Sequence, residues 1–296
     1  MSRLTITHRT VYRYTNAVRF GDHRLMVRPR DSHDLRLVRS GLRIVPPARI
    51  RWLHDVFGNS VAVASFEQAA TELLLESTIV IDHYGLENPE FPIEPYARSL
   101  PFSYAAEEAR DLSATVERHS IDPKHQVDAW AQEFLSGDGP TDTVELLIAM
   151  TRAIRERFAY EQRDQPGVRS PVDTLERSAG SCRDFAYLMM EAARSLGLAA
   201  RFVTGYLYDP ALDRGEESEV VGAGTTHAWA QIYLPGAGWV EFDPTNGSFG
   251  GTNLIRIGVA RDPSQAVPVQ GTFFGDPGGA PSLSVEVNVT AEPRAQ

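Results

Sequence analysis

The sequence predicts an α+β protein: an N-terminal antiparallel β-sandwich followed by a core in which one helix packs on an antiparallel sheet. Residues 1 to 85 alternate apolar and polar side chains with a period of two, as half-buried strands do. Residues 105–250 combine apolar stripes of helical period with a later pair of alternating runs. At 296 residues, the chain can form one large or two ordinary domains.

The N-terminal β domain is predicted over residues 1–87. Short alternating runs follow one another closely, and Gly58-Asn59 is a good turn between two of them. Arginines that alternate with apolar residues here favour a solvated sheet face, and a docking surface for an acidic partner is the alternative. They are Arg24, Arg28, Arg30, Arg36, Arg39, Arg43, Arg49 and Arg51. Residues 88–104 contain four prolines, which predicts an extended linker.

The core is predicted over residues 105–250 and opens with three helical segments. These segments are AAEEARDLSATVERH, KHQVDAWAQEFLSG and DTVELLIAMTRAIRERFAY, and the last two carry apolar residues in helical phase. The stretch that follows, EQRDQPGVRSPVDTLERSAG, has the composition of a loop. Because it leads directly to Cys182, we expect it to form a wall of a cleft.

Cys182 is the only cysteine of the chain, which excludes an internal disulfide and a cysteine-rich metal site. Ser181 and Asp184 fit a capping box, and the apolar residues that follow recur at helical spacing. Cys182 is therefore predicted at about the first helical position. Unpaired amides and the positive end of the macrodipole favour a thiolate there, whereas a buried small apolar residue is the alternative.

The stretch THAWAQIYLPGAGWVEFDPTNG reads as a β-hairpin. Its apolar pattern favours a register with Trp229 opposite Asp243, because a slip of one residue would mix apolar and polar side chains on each face. This register makes His227 and Asp243 diagonal neighbours on one face. A catalytic thiol needs a base and a group that orients the base, and these two residues are the candidates. A structural sheet histidine is the alternative.

Two stretches, GSCRDFAYLMMEAARSLGLAARFVTGYLY and THAWAQIYLPGAGWVEFDPTNG, resemble the core of the transglutaminase-like superfamily. The resemblance implies a papain-like fold with Cys182 as nucleophile, His227 as base and acid, and Asp243 as orienting carboxylate. The N-terminal strands and IRIGVARDPSQAVPVQGTFFG resemble the bacterial branch of the family, which carries an N-terminal β domain. The superfamily includes transglutaminases, peptidases, amidases and proteins that have lost activity.

The predicted reaction is thiol acyl transfer on a peptide or isopeptide amide through an acyl-thioester. Hydrolysis by a cysteine peptidase or amidase is favoured, because water outcompetes an amine acceptor unless the cleft excludes water. The alternatives are a transglutaminase with an amine acceptor, an acyltransferase with an activated thioester donor, and a non-catalytic binding module. Candidates for the oxyanion hole or the substrate cleft are Tyr160, Gln162, Ser181 and Trp229.

Charge and composition indicate which classes of binding partner and cofactor the protein lacks. A net charge of -10 argues against nucleic acid as a partner. The predicted reaction implies a protein or peptide substrate. No cofactor or metal motif is present: the acidic run Asp213, Glu216, Glu217 and Glu219 lacks an EF-hand pattern and is predicted to be solvated. The opening residues lack an apolar signal region, and no apolar run is long enough to span a bilayer. We therefore expect no membrane contact and a cytoplasmic location.

Two further segments flank the hairpin. The loop DPALDRGEESEVVGAGTT lies directly before His227, which makes it a candidate gate. Residues 251–296 are predicted to form a C-terminal extension with many turn residues. Its final strand, residues 283–290, alternates cleanly and must complete a sheet, with a return to the N-terminal β domain as one option.

Overall fold

The computed structural model describes residues 2–84, 91–163, 165–214, 216, 220–251 and 253–291. Residues 88–90 of the predicted linker, and Glu217 and Glu219 of the acidic run, lie outside the described residues. The helices are α1 (Ala106–Val116), α2 (Gln126–Gln132), α3 (Thr143–Arg157), α4 (Pro171–Arg177), α5 (Cys182–Ser195) and α6 (Pro210–Asp213). The strands are β1 (Ser2–Phe20), β2 (His23–Arg28), β3 (Leu35–Val45), β4 (Ala48–His54), β5 (Ser60–Phe66), β6 (Ala70–His83), β7 (Ser99–Leu100), β8 (Thr141–Asp142), β9 (Ala159–Tyr160), β10 (Ala179–Gly180), β11 (Ala200–Leu207), β12 (His227–Leu234), β13 (Gly238–Asp243), β14 (Ser248–Phe249), β15 (Leu254–Ala260), β16 (Val269–Gln270), β17 (Phe273–Phe274) and β18 (Ser282–Ala291).

Two antiparallel sheets form the N-terminal sandwich, as the period-two pattern predicts. One sheet has the order β3-β6-β1-β18, with β17 on the end of β1, and the other has the order β4-β5-β2-β16. Apolar side chains of four strands meet between the sheets. They are Tyr14, Val18, Phe20, Leu25, Val27, Ala62, Ala64, Leu73 and Leu75. The α+β class is confirmed, with the β-sandwich at the N-terminal end.

The arginines of this half lie on its surface. Arg39 and Arg43 on β3, and Arg49 and Arg51 on β4, are exposed, and each of these strands is paired on one side. Arg28 is half-buried and lies over the ring of Trp52. Charged side chains on an outer strand oppose edge-to-edge association of sheets. The arrangement agrees with the predicted solvated face.

The second half contains a five-stranded antiparallel sheet with the order β14-β13-β12-β11-β15. Helix α5 packs against β12 and β11, where Ala228, Ala230 and Ile232 share its apolar cluster. Strand β11 lies inside the sheet, as its apolar sequence predicts. Strand β15 also belongs to this sheet, although the predicted end of the core was residue 250, so the core continues beyond that boundary.

The described part of the predicted linker, residues 91–104, packs into the second half. Ile93, Ala97 and Leu100 are buried in the same cluster as α5. The hydroxyl of Tyr104 accepts a hydrogen bond from the amide of Ala199 at 2.8 Å. Proline content therefore indicated the extended backbone but not the burial of these apolar side chains.

Two short helices lie where the sequence indicated loops. Helix α4 begins after Ser170, whose side chain accepts a hydrogen bond from the amide of Asp173 at 3.1 Å. Pro171 occupies the first helical position, which is the usual place for proline in a helix. The S-P-x-D pattern was the signal that would have predicted this helix. Helix α6 occupies only four residues of the predicted gate loop.

The two halves share a buried interface. Leu4 and Ile81 of the N-terminal sheet pack with Tyr206 and Ile255 of the second sheet. His8 Nδ1 lies 2.8 Å from the hydroxyl of Tyr206. This interface fixes the second sheet, which carries the candidate site, against the sandwich.

Strand β18 returns to the N-terminal sheet. It pairs antiparallel with β1, with Leu4 opposite Ala291. Val287 and Val289 are buried at the interface between the halves, whereas Leu283 and Val285 are 45% and 41% exposed. Only the second half of β18 therefore contributes apolar side chains to a core.

Candidate active site

Cys182 is the first residue of α5, as the sequence predicts. The carboxylate of Asp184 accepts hydrogen bonds from the amide and the hydroxyl of Ser181, both at 2.9 Å, in a capping box. The thiol is free, and the residue is 7% exposed. The cap therefore holds a nearly buried thiol at the positive end of a helix.

Asp184 also ties the loop after β9 to the start of α5. Its carboxylate accepts two hydrogen bonds from Arg163, at 2.8 and 3.1 Å, and one from the amide of Arg169 at 2.7 Å. Arg183 donates to the carbonyl oxygens of Arg163 and Gln165, both at 3.0 Å. The two charged residues after Cys182 thus fix the predicted cleft wall.

The hairpin of β12 and β13 has the predicted register. Ala230 lies opposite Phe242 and Gln231 opposite Glu241, so the register extends to Trp229 and Asp243. His227 Nε2 lies 2.8 Å from Asp243 Oδ2, and both residues are 1% exposed. The structure therefore joins the two residues by a buried hydrogen bond.

Asp243 accepts several hydrogen bonds besides that of His227. Its Oδ1 accepts from the amides of Thr245, at 3.0 Å, and Asn246, at 3.4 Å, and its Oδ2 accepts from Asn246 Nδ2 at 2.8 Å. Burial alone would raise the pKa of Asp243, but His227 and these donors together hold it below its usual value. The carboxylate is therefore charged at neutral pH.

The interaction with Asp243 shifts the pKa of His227 in the opposite direction, upwards. Burial alone would lower its pKa, but the charge and hydrogen bond of Asp243, with a contribution from Cys182, raise it to about 10. Its Nδ1 is buried and makes no hydrogen bond to the described residues. Because Nε2 is bonded to Asp243, Nδ1 is the ring nitrogen that has no partner among the described residues.

Tyr160 lies beside the nucleophile candidate. It is the second residue of β9, which pairs in parallel with β10, so that Tyr160 is opposite Gly180. Burial raises the pKa of its phenol to about 12, and the nearby Cys182 adds to this rise. The phenol is thus a protonated hydrogen-bond donor near Cys182.

The other residues predicted for the oxyanion hole or cleft have different surroundings. The Ser181 hydroxyl is engaged by Asp184. Trp229 is fully buried, donates its indole N–H to Glu241, and stacks on His227 with ring centroids 5.9 Å apart. Gln162 is exposed and makes no hydrogen bond in the described part of the chain. Trp229 therefore supports the imidazole from inside the sheet, whereas Tyr160 remains the residue near the thiol.

Sequence reasoning missed Asn246, Arg163 and Arg169. Asn246 stands in the motif FDPTN, where an asparagine after proline is read as a turn residue, so only its closeness to Asp243 was a signal. Nothing in the sequence distinguishes Arg163 and Arg169 from solvated loop arginines. Their common partner, Asp184, is found only in the folded chain.

Two parts of the chain match models of known protein families. Residues 128–244 match the transglutaminase-like superfamily, and residues 4–82 match the bacterial transglutaminase-like N-terminal region. The chain thus carries a transglutaminase-like core and a bacterial transglutaminase-like N-terminal region. Cys182, His227 and Asp243 all lie within the first match.

Relatives and a solved structure cover nearly the whole chain. The uncharacterized protein ML0607 of Mycobacterium leprae is 26% identical and covers 98% of this chain and 99% of its own. The uncharacterized protein Rv2569c of Mycobacterium tuberculosis is 29% identical, with 92% of this chain and 88% of its own covered. A crystal structure from Cytophaga hutchinsonii, provisionally described as a cysteine protease, is 18% identical with a TM-score of 0.74 over 100% of this chain and 92% of that one. It shares the fold.

The described residues provide neither a helix that could span a membrane nor a cluster of metal ligands. None of their helices combines the length and the apolar composition that a bilayer span requires. The same residues contain no group of three or more His, Cys, Asp and Glu side chains placed to hold a metal ion.

Proposed function

We propose that this protein is a cysteine peptidase or amidase with Cys182 as nucleophile, His227 as base and acid, and Asp243 as the orienting carboxylate. The observation that carries the proposal is the buried hydrogen bond between His227 Nε2 and Asp243 Oδ2. It fixes the imidazole so that Nδ1 is available to the thiol. The provisional protease description of the Cytophaga hutchinsonii protein agrees with the proposal.

In the first step, the thiolate of Cys182, whose proton His227 already holds, attacks the carbonyl carbon of an amide. The carbonyl oxygen becomes an oxyanion, for which we propose the amide of Cys182 and the phenol of Tyr160 as donors. The C–N bond then breaks as the imidazolium gives its proton to the leaving nitrogen. Asp243 stabilises the positive ring throughout, and an acyl-thioester on Cys182 remains.

In the second step, His227 takes a proton from the attacking group. With water, the thioester becomes a carboxylic acid, and the C–S bond breaks to restore Cys182. With an amine, the same step yields a new amide, which is the reaction of a transglutaminase. We favour water, since an amine must outcompete it in the cleft. A reducing compartment such as the cytoplasm suits the chain, because it keeps a free thiol reduced.

The first test measures the rate of Cys182 alkylation by iodoacetamide across pH in the wild type and in His227→Ala. We expect the wild-type thiol to stay reactive at acidic pH, where that of His227→Ala loses reactivity, because the imidazolium stabilises the thiolate. His54→Ala, which removes an exposed histidine of β4, is the control and should behave as the wild type. An unreactive thiol, or identical profiles in all three proteins, would favour the non-catalytic binding module.

A second test decides the acceptor. Peptides incubated with the protein in water labelled with heavy oxygen, with and without methylamine, are analysed by mass spectrometry. Hydrolysis introduces heavy oxygen into a new carboxyl group, whereas transamidation introduces methylamide. Cys182→Ser is the blank. Methylamide as the main product would replace the peptidase assignment by that of a transglutaminase.

A further inference from the structure

The segment Val220–Thr226, which we name the covering segment, lies against the catalytic face of His227. Gly222 has a φ of +98°, and a Cβ on it would lie 2.6 Å from His227 Nδ1 and 3.3 Å from Cε1. A side chain at this position would therefore collide with the imidazole, so the backbone of Gly222 lies directly against the ring. Nδ1 itself is buried and has no hydrogen-bond partner among the described residues.

Asn246 joins the covering segment to the triad carboxylate. Its Oδ1 accepts from the amide of Val221 at 2.9 Å, and its Nδ2 donates to the carbonyl of Val221 at 3.1 Å. The same Nδ2 donates its other hydrogen to Asp243 Oδ2 at 2.8 Å. Because a carboxylate only accepts, this network permits one orientation of the amide. One side chain thus holds both the segment that covers His227 and the group that orients it.

We infer that Asn246 is a positioning residue of the proposed reaction: it orients Asp243 and fastens the covering segment over His227. The inference rests on the proposed function. A buried carboxylate that keeps all its donors attracts the imidazolium in one geometry, and exclusion of water strengthens that attraction. Movement of the covering segment away from His227 would break the two hydrogen bonds between Asn246 and Val221.

The chain offers a closely matched control in Asn59. Its Oδ1 accepts from the amide of Val259 at 2.9 Å, and its Nδ2 donates to the carbonyl of Val259 at 2.7 Å and to Asp55 at 2.8 Å. Asn59 thus makes the same three hydrogen bonds as Asn246, but to the strand β15 instead of the covering segment. Asn59→Ala removes an equivalent network without touching the triad.

The experiment compares Asn246→Ala, Asn246→Asp and Asn59→Ala with the wild type in two measurements. The first is the pH profile of Cys182 alkylation by iodoacetamide. The second is the ratio of alkylation rates for a bulky maleimide and for iodoacetamide, which reports how far the covering segment restricts access. Asn246→Asp keeps the size of the side chain and the acceptor for Val221, but it cannot donate to Asp243.

For both Asn246 variants we expect the acidic limb of the profile to move towards that of His227→Ala, with about tenfold slower alkylation at acidic pH. For Asn246→Ala we also expect the rate ratio to rise in favour of the bulky maleimide. Asn59→Ala should keep both wild-type values, although it destabilises the fold. If Asn246→Ala had the same alkylation profile and the same rate ratio as Asn59→Ala, the inference would be wrong.

The inference and the proposed function fail in different ways. If wild type and His227→Ala have the same alkylation profile, the proposed function fails, whatever the Asn246 variants do. If the profile depends on His227 but not on Asn246, the proposed function stands and the positioning role is refuted.

Discussion

The ion pair of His227 and Asp243 makes stability depend on pH at the scale of single residues. The pKa of His227 rises from 6.5 to about 10 on folding, so between these values the folded state holds a proton that the unfolded chain releases. The stabilisation of the folded state by the protonated His227 is complete below pH 6.5 and is lost as the pH rises through 10. Folding lowers the pKa of Asp243, so its charged carboxylate stabilises the folded state at neutral pH. This stabilisation is lost in acid, as the pH falls below 3.8.

We therefore expect the unfolding free energy of the wild type, measured in urea, to fall between about pH 6.5 and 10. In His227→Gln, which keeps a hydrogen-bond donor but no charge, this fall should be much smaller. His54→Ala should retain the wild-type slope. Equal slopes in the wild type and His227→Gln would show that the imidazole is neutral in the folded protein.

Gly222 provides a second test at this scale, with Gly224 as its partner. Both glycines have positive φ, +98° and +80°, so alanine costs about 1 kcal/mol of backbone strain at either position. Only at Gly222 would the new methyl group meet His227, because the nearest atom at Gly224 is 4.0 Å away. We expect a larger loss of melting temperature in Gly222→Ala than in Gly224→Ala, and slower Cys182 alkylation and slower turnover only in Gly222→Ala. Equal alkylation rates in both variants would contradict the closeness of Gly222 to the ring.

At the scale of secondary-structure elements, local patterns predicted most of what positions the site. The capping box that starts α5 and the register of β12 and β13 both follow from neighbouring residues. The sequence missed α4, because a turn-rich composition obscured its cap. It also ended the core before β15, because a strand is assigned to a sheet by partners far away in the sequence. Asn246 was missed for a related reason: its role depends on Val221, which precedes it by 25 residues.

The loop after β9 is held to α5 by a buried ion pair, and its loss should be costly. Arg163→Met leaves the carboxylate of Asp184, which is fully buried, without its cation. We expect a loss of about 3 kcal/mol in the unfolding free energy, measured in urea. The control is Arg157→Met, which breaks an exposed pair with Glu133 and should cost less than about 1 kcal/mol. Similar losses for both variants would mean that the loop is not anchored through Asp184.

At the scale of the whole molecule, contacts between distant parts of the chain decide the arrangement. Asn59 bonds to Val259, and His8 meets Tyr206, across about two hundred residues in each case. Strand β18 lies in the N-terminal sheet, while its Val287 amide donates to the carbonyl of Gly224 in the covering segment at 3.2 Å. No periodicity in the sequence encodes such pairings, although hydrophobic patterns predicted that both halves have sheets with apolar faces. The N-terminal half thus packs against the sheet that carries the candidate site and contacts the covering segment through β18.

This arrangement predicts that the second half does not fold alone. A fragment of residues 91–296 would expose the faces of Tyr206, Ile255 and Ile257 that the sandwich now buries, and β18 would lose its partner β1. Burial contributes about 25 cal/mol per Å² of apolar surface, so the fragment loses stabilisation that a domain of this size cannot spare. We expect it to bind a hydrophobic dye and to unfold without cooperativity in urea, whereas the full chain unfolds in one transition. A cooperative transition of the fragment, with Cys182 alkylated as in the full chain, would instead show that the predicted division into two domains is also a division in folding.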